Sequence, residues 1–247
     1  KSGIAKRDNI VDVSLMESCA RDDLNKISWR RMVVLDPLRV VITNYDENST
    51  ELLKAENNPE EEEKTYREIE FSNEIYIERS DFMIDPPRKF FRMGPGRDVR
   101  LKHAYILHCE RYDTDEDGEV TTVYCTYYPN SKSGEDVSGV KAKGTLHWVN
   151  THTCIDVEIR DYDRLFTVPD PLNQEKDFME YINPDSLHVI PNAKAEPALA
   201  KASLDDHFQF LRKGYFIKDK DSTPDKSVFN LTVGLRDSWA KRNQQKK

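Results

Sequence analysis

Short segments that alternate between apolar and polar residues recur along most of this chain, and they constrain its fold more than any other feature. An alternation with a period of two turns one face of a β-strand towards a core and the other towards solvent. The clearest segments are residues 74–78, 99–107, 144–149 and 155–159. Turn dipeptides such as Asp117-Gly118 separate the segments. Many short strands joined by turns predict β-barrels or a sandwich.

Two segments have helical rather than strand-like patterns. Residues 11–25 carry apolar side chains at roughly the 3.6-residue period of an α-helix. This stripe consists of Leu15, Met16, Cys19 and Leu24. A second helix is predicted for residues 173–181, because Asn173 is a capping residue and Pro184 follows the segment.

The composition predicts a folded protein with a strongly charged surface. The chain has 247 residues, which allows one large domain or two of about 100–150 residues each. Hydrophobic residues make up 37% and aromatic residues 10%, which is typical of a packed core rather than a disordered chain. The net charge is −8, from 37 basic and 45 acidic residues. A nucleic-acid surface would therefore have to be a local basic patch.

The chain has no features that predict export or membrane insertion. It contains no apolar run of about 18 residues, so no transmembrane helix and no membrane partner are expected. It begins at Lys1 without an apolar leader, and we expect a fragment of a longer cytoplasmic protein. The widely spaced cysteines are expected to be reduced and mostly buried. They are Cys19, Cys109, Cys125 and Cys154.

Residues 86–102 combine many cations with aromatic rings. The cations are Arg88, Lys89, Arg92, Arg97, Arg100 and Lys102. They surround Phe90 and Phe91, and Asp98 is the one acidic residue in the segment. Cations hold phosphate, while aromatic and guanidinium planes stack on unpaired bases. The segment therefore favours single-stranded RNA binding, with a solvated loop that leads into an edge strand as the alternative.

Other motifs do not indicate chemistry. Residues 113–120 begin like an EF-hand loop, but the twelfth position is Tyr124 rather than Glu, so we predict a β-hairpin turn at Asp117-Gly118. The histidines have no zinc-like spacing and are interpreted as structural or surface residues. Gly94-Pro95-Gly96 is predicted to be a turn rather than a phosphate loop. We therefore predict no catalytic residue and no metal site.

Several stretches, taken in order and with matching spacing, resemble the glutaminyl-tRNA synthetase family. They are residues 15–19, 34–37, 99–105, 143–149, 157–166, 208–216 and 228–239. The His-Ile-Gly-His and Lys-Met-Ser-Lys-Ser signatures of the family's catalytic half do not occur. The resemblance implies the anticodon-binding C-terminal part of an aminoacyl-tRNA ligase. In full length such an enzyme joins glutamine to tRNA(Gln) with ATP.

The resemblance also implies an architecture and a set of partners. The expected fold is mainly β, with two β-barrels (proximal and distal, one inserted in the other) and a short N-terminal helical connector. The connector would be residues 1–29, the proximal barrel residues 30–88 and 186–247, and the distal barrel residues 89–185. The implied partners are the tRNA(Gln) anticodon stem-loop and the N-terminal catalytic domain of the same chain. No cofactor is expected here, since ATP and Mg belong to that catalytic domain, and we expect a monomer.

The resemblance places three residues at the middle anticodon base. Arg30 matches an arginine near this base, and Gln209 and Arg212 match the pair that reads its uracil. A glutamine supplies both a donor and an acceptor, as an unpaired uracil edge requires. Leu211 departs from the family pattern, because bacterial members have a carboxylate at this position.

The other implied contacts concern the first and third bases. Arg92 matches an arginine that reads the third-position guanine, to which arginine can donate two hydrogen bonds. Arg100 and Lys102 match cations around the first base and its phosphate. Lys89 occupies a neighbouring contact position, and Ser238 replaces the usual threonine.

Two alternatives to this function remain open from the sequence. A eukaryote-type glutamyl-tRNA synthetase shares these barrels, and its cognate anticodons differ at the third base, which Arg92 would face. A free-standing β-barrel module that binds RNA or protein is the other alternative. Phe91 is a further departure from the family, because it replaces a lysine; it is expected to stack on a base.

Overall fold

The computed structural model describes residues 13–236 and shows a mainly β protein in that range. The helix is α1 (Val13–Ile27). The strands are β1 (Trp29–Arg31), β2 (Val33–Val34), β3 (Pro37–Ile42), β4 (Glu51–Glu56), β5 (Tyr66–Phe71), β6 (Glu74–Glu78), β7 (Asp98–Leu101), β8 (Ile106–Thr114), β9 (Val120–Tyr127), β10 (Thr145–Leu146), β11 (Trp148–Asn150), β12 (Ile155–Tyr162), β13 (Leu187–Ala195), β14 (His207–Phe210), β15 (Gly214–Lys218) and β16 (Ser227–Gly234). They form two seven-stranded sheets and the two-stranded ribbon β4–β5.

The first sheet, called here the flanking barrel, has the strand order β1-β14-β15-β16-β12-β13-β2. Its two outer strands, β1 and β2, are consecutive in the chain and are separated only by Met32. The chain therefore passes from one edge of the sheet directly to the other, which brings the edges together and nearly closes the barrel. Such closure protects edge strands that would otherwise expose unpaired backbone groups.

The second sheet, called here the inserted barrel, has the order β10-β7-β8-β9-β3-β6-β11 and is closed in the same way. Its outer strands β10 and β11 are separated only by His147. All its strands lie between β2 and β12 of the flanking barrel in sequence. The predicted fold class is thus confirmed: two barrels, one inserted in the other, follow a short N-terminal helix.

The sheets divide the chain at other positions than the boundaries expected at residues 88 and 186. Strands β3 and β6 belong to the inserted barrel, although residues 30–88 were expected in the proximal one. Strand β12 belongs to the flanking barrel, although residues 89–185 were expected in the distal one. The reason is long-range pairing, since β3 aligns in parallel with β9 and β12 aligns in parallel with β16.

The first predicted helix is confirmed and the second is wrong. In α1 the side chain of Leu24 is buried and packs with Tyr215 and Val233 of the flanking barrel. Residues 173–181 contain only the end of the 3₁₀ turn Pro171–Asn173 and the whole of the short 3₁₀ turn Phe178–Tyr181. The Asn173 amide donates to Asp170 at 2.6 Å and does not cap a helix.

The two barrels have separate aromatic cores. Rings of Phe208, Phe210, Phe216 and Phe229 pack inside the flanking barrel. Rings of Phe71, Tyr105 and Trp148 pack inside the inserted barrel. Two of the four cysteines, Cys109 and Cys125, are buried in the inserted barrel, and all four are free thiols.

The predicted turns are confirmed. The β8–β9 hairpin turns at residues 115–118, where the Gly118 N–H donates to the Asp115 carbonyl at 3.1 Å. Gly118 has a φ of 83°, which favours glycine. Gly96 also has a positive φ, in the turn that precedes β7. No helix among residues 13–236 has the length and apolar content needed to cross a bilayer.

Candidate nucleic-acid interface

A buried carboxylate, Asp81, joins two of the predicted base-reading arginines where the barrels meet. Its side chain is 0% exposed. Arg212, in the β14–β15 turn of the flanking barrel, donates from Nη1 to Oδ2 at 2.5 Å and from Nη2 to Oδ1 at 2.7 Å. Arg92, between β6 and β7 of the inserted barrel, places Nη1 2.9 Å from Oδ1. The fold thus brings Arg92 and Arg212 onto one carboxylate.

A second buried acid, Glu78, lies at the end of β6 and also contacts both barrels. Its Oε2 pairs with Nζ of Lys213 at 3.0 Å, and its Oε1 accepts from the Leu35 N–H at 2.7 Å. Its Oε1 lies 3.4 Å from Nε2 of His147. Burial by itself would raise the pKa of Glu78, but the contacts with His147, Lys213 and Leu35 outweigh it and lower the pKa to about 2.

Glu78→Gln is therefore expected to make the protein less sensitive to acid. A carboxylate with a folded pKa of about 2 and an ordinary unfolded value stabilises the fold above about pH 4.5. That contribution, on the order of 3 kcal/mol, is lost as the pH falls towards 2. Urea unfolding at pH 7 and pH 3 should show a smaller loss of stability for Glu78→Gln than for the natural protein. Glu56→Gln serves as the control, because the Glu56 side chain is 31% exposed and pairs with Lys64, and an equal loss in all three proteins would contradict the assignment.

Gln209, a predicted reader of the middle base, and Arg30, predicted to lie near that base, are side by side. They are directly paired positions of the parallel strands β1 and β14. The Gln209 amide donates to Oη of Tyr215 at 2.9 Å, and Tyr215 donates to Oδ1 of Asn25 at 3.2 Å. The Arg30 guanidinium donates to the same Oδ1 at 2.8 Å. One polar network therefore holds both residues.

Burial distinguishes Arg30 from Gln209. Arg30 is buried, and its guanidinium also donates to the carbonyls of Ser28 at 2.6 Å and Asn25 at 2.9 Å. Desolvation lowers the pKa of Arg30 from its ordinary value. Gln209 is half-buried and keeps its side-chain oxygen without a protein donor among residues 13–236. Gln209 is the more accessible of the two, whereas the Arg30 guanidinium is occupied by Ser28 and Asn25.

Next to Arg92 a cleft of about 240 Å³ opens on the inserted barrel; it is called here the basic cleft. It is lined by five cations, two aromatic rings, one acid and one glycine: Arg88, Arg92, Arg97, Lys141, Lys143, Phe90, Phe91, Asp98 and Gly144. Phe91 is 52% exposed, and Nζ of Lys143 lies 5.7 Å from its ring centroid. An exposed ring among cations can stack on a base while the cations hold phosphate.

Not every cation of this segment is available to a ligand. The Arg97 guanidinium donates to the carbonyls of Phe90 at 2.5 Å and Pro86 at 2.8 Å, so it fastens the wall of the cleft. Arg100 donates to the carbonyl of Ser131 at 2.9 Å and forms an ion pair with Asp136.

The remaining predicted site residues occupy different positions. Lys89 and Lys102 have exposed side chains; Lys89 lies beside the cleft residue Arg88, and Lys102 follows β7. The backbone N–H of Arg100 donates to the carbonyl of Gly144, so Arg100, predicted to lie near the first base, adjoins the cleft. Leu211 packs against the core of the inserted barrel. Ser238 lies outside the described residues.

Sequence reasoning missed several residues that build this surface. Asp81 and Asn25 hold the predicted readers, while Lys141 and Lys143 add cations to the cleft. Lys141 and Lys143 stand two apart in a short basic stretch, which was a usable signal. No local pattern marks Asp81, which is 131 positions from Arg212. Among residues 13–236, no group of three or more His, Cys, Asp or Glu is placed to hold a metal ion.

Comparison with known proteins gives consistent matches along the chain. The family described as tRNA synthetases class I (E and Q), anti-codon binding domain, matches residues 28–128, and a second domain of the same description matches residues 145–219. The chain is 48% identical over 241 residues to the Glutamine--tRNA ligase of Rhodopirellula baltica, covering 97% of this chain and 40% of that protein. It is also 48% identical to the Glutamine--tRNA ligase of Proteus mirabilis, covering 98% of this chain and 43% of that protein.

A third relative, the Glutamine--tRNA ligase of Bradyrhizobium diazoefficiens, is 45% identical, covering 97% of this chain and 42% of that protein. The chain thus spans about two fifths of the length of the relatives it matches. Both barrels lie largely within the matched residues. The chain belongs to the anticodon-binding domain family of the class I (E and Q) tRNA synthetases.

Proposed function

We propose that this chain recognises the anticodon loop of tRNA(Gln) within a glutamine--tRNA ligase. One observation carries the proposal: predicted readers from both barrels meet, because Arg212 of the flanking barrel and Arg92 of the inserted barrel bind the same carboxylate. Gln209 lies in β14, and Arg212 in the following turn shares Asp81 with Arg92. Arg92 in turn lines the basic cleft. Such an arrangement suits consecutive nucleotides that are unstacked and splayed out, as single-stranded loops of RNA are when proteins read them.

The chemistry of each position supports a separate task. Gln209 offers an amide oxygen to a uracil edge. Arg92, which is 42% exposed, keeps Nε and Nη2 without a partner among residues 13–236, and these can donate to a guanine. The exposed Phe91 ring would stack on a base, while Lys89, Arg88 and Lys143 would neutralise phosphates. The proposal needs no cofactor on this part of the protein.

The rest of the reaction would belong to the catalytic part of the same protein. The relatives are named as Glutamine--tRNA ligases, so we assign to the whole protein the joining of glutamine to tRNA(Gln), with ATP and Mg bound in its catalytic domain. We also propose that the protein acts as a monomer in the cytoplasm. The family includes glutamate enzymes as well, and the tRNAs for glutamine and glutamate differ at the third anticodon base.

The test is a titration of the protein with anticodon stem-loops of tRNA(Gln) that differ only at the third base. The natural protein should prefer guanine by about 1–3 kcal/mol, the usual worth of a bidentate arginine–guanine contact. Repeating the titration at two salt concentrations should weaken binding at higher salt, because phosphate contacts release counterions. Preference for cytosine would assign a glutamate enzyme, and no base preference with no salt dependence would exclude anticodon binding.

Arg92→Ala is expected to remove the third-base preference. Binding to the guanine stem-loop should weaken by about 1–3 kcal/mol, because the two donors to O6 and N7 are lost. Binding to the other three stem-loops should change little. Arg111→Ala is a matched control, because Arg111 is an exposed arginine of the same barrel that pairs with Asp113 and lines no part of the cleft. An equal loss for all four bases would make Arg92 a phosphate contact only.

A further inference from the structure

We infer that Asp81 is a positioning residue that couples recognition of the middle and third anticodon bases. The inference rests on the proposed function, since it concerns how two of the proposed readers are held. Asp81 touches no base itself in this arrangement, because its side chain is 0% exposed. It would act through Arg92 and Arg212, and it was not among the predicted site residues.

One oxygen atom of Asp81 serves both arginines. Its Oδ1 accepts from Nη2 of Arg212 at 2.7 Å and lies 2.9 Å from Nη1 of Arg92. The second oxygen accepts from Nη1 of Arg212 at 2.5 Å, so that pair is bidentate. Bidentate pairs fix the plane of a guanidinium as well as its position. The direction in which Arg92 points therefore depends on the same carboxylate that orients Arg212.

The two guanidinium groups would not stay together without this carboxylate. They are like charges in contact with one atom, and such charges repel strongly in a partly desolvated site. Conversely, a carboxylate with no solvent exposure needs partners that compensate its lost hydration. Asp81 and its two arginines carry a net charge of about +1, which leaves the cluster attractive to RNA.

The backbone gives Asp81 the same bridging role. It ends the 3₁₀ turn Arg79–Asp81 after β6, and its carbonyl accepts from the Met93 N–H at 2.9 Å. This hydrogen bond fixes the backbone of Met93, the residue after Arg92, to the 3₁₀ turn that carries Asp81. Arg212 has a φ of 68°, so its turn adopts a conformation that is uncommon for a residue with a side chain. The ion pair with Asp81 helps to hold that turn against the inserted barrel.

Two readers that share an anchor cannot be perturbed independently. A wrong middle base that shifts Arg212 also disturbs the carboxylate that orients Arg92. A wrong third base that shifts Arg92 disturbs the carboxylate that orients Arg212. Discrimination at the two positions should therefore be coupled and non-additive, as for residues in one hydrogen-bonded network. Readers that were held by separate anchors would give additive penalties.

The first test uses Asp81→Asn in the whole natural protein, with anticodon stem-loops changed at the middle base, at the third base, or at both. Discrimination at both positions should fall by about tenfold each, because both arginines lose their charged anchor. Affinity for the doubly changed stem-loop should stay the same or rise, since a negative charge is removed. Loss of affinity for every stem-loop by the same factor would show a purely structural role and overturn the inference.

Two further variants show whether a loss of discrimination comes from the shared anchor or from the removal of any nearby charge. Asp113→Asn removes an acid of the inserted barrel that pairs with Arg111, lines no part of the basic cleft and contacts neither Arg92 nor Arg212, so it should leave discrimination unchanged. Arg212→Met should weaken discrimination at the third base although Arg212 is a middle-base reader, which tests the coupling even if Asp81→Asn folds poorly. A third-base preference that is untouched by Arg212→Met would overturn the inference. If the natural protein shows no base preference at all, the proposed function fails instead.

Discussion

Glu196→Ala is expected to destabilise the protein by about 3–5 kcal/mol, the usual cost of removing one partner from a buried ion cluster. Glu196 is 3% exposed and follows β13 of the flanking barrel. Its Oε2 accepts from Nε and Nη2 of Arg67 at 3.0 and 2.9 Å, and its Oε1 lies 3.3 Å from Nε of Arg31. Burial raises the pKa of Glu196, although the two arginines oppose the rise. Without Glu196 two nearly buried guanidinium groups would lose their counter-charge.

The position of this triad adds to the expected effect. Arg67 belongs to the β4–β5 ribbon, whereas Arg31 and Glu196 belong to the flanking barrel. The ion pairs therefore fasten the ribbon to the barrel. Burial also lowers the pKa of Arg31 to about 10, which shows how strongly this site disfavours an unpaired charge.

Urea or thermal unfolding measures the effect, with Glu56→Ala as the matched control. Glu56 lies on the same ribbon and pairs with Lys64 on the exposed surface, so its loss should cost less than about 1 kcal/mol. Replacing the whole triad, with Arg31→Met, Arg67→Met and Glu196→Leu together, should recover much of the stability, because no buried charge is left unpaired. If Glu196→Ala and Glu56→Ala had the same small effect, the triad would contribute no more than a surface pair.

Local patterns predicted the strands well because they record which face is buried. The alternation in residues 74–78 and 155–159 corresponds to β6 and to the first part of β12, where more buried side chains alternate with less buried ones except at the buried Glu78. The same patterns contain no information about partners. The parallel pairing of β3 with β9 brings Arg39 opposite Thr122, and such long-range pairing decided which residues belong to which barrel. The expected domain boundaries differed from the sheets for this reason.

In the candidate site, too, the features that are local in sequence were predicted, whereas those that depend on long-range contacts were not. The cations and rings of residues 86–102 were visible as composition, and five of them line the basic cleft. The family resemblance indicated Gln209 and Arg212, far away in sequence. Asp81 and Glu78 were not predicted, because a buried acid is recognisable only through the partners that the fold brings to it. Phe91, which was expected to stack on a base, is exposed at the cleft.

Gly144→Ala is expected to damage the basic cleft more than the loss of any single cation. A Cβ atom at residue 144 would lie 1.8 Å from the carbonyl oxygen of Phe91, far inside any van der Waals contact. The clash is with backbone, so the segment that carries Phe91 and Arg92 must move away from residue 144. Overpacking of this kind costs about 1–3 kcal/mol of stability, and occasionally more.

The displacement of the segment that carries Phe91 and Arg92 should weaken RNA binding directly. The carbonyl of Gly144 accepts from the N–H of Arg100, so a shift of this glycine also disturbs the start of the β7–β10 pairing. Binding of the guanine stem-loop should weaken by at least the 1–3 kcal/mol expected for Arg92→Ala, because the Phe91 ring is displaced together with Arg92. Thr145→Ala is the matched control, since Thr145 is the neighbouring residue and its side chain is exposed. If Gly144→Ala kept the affinity of the natural protein, the close approach of these two segments would have no part in RNA recognition.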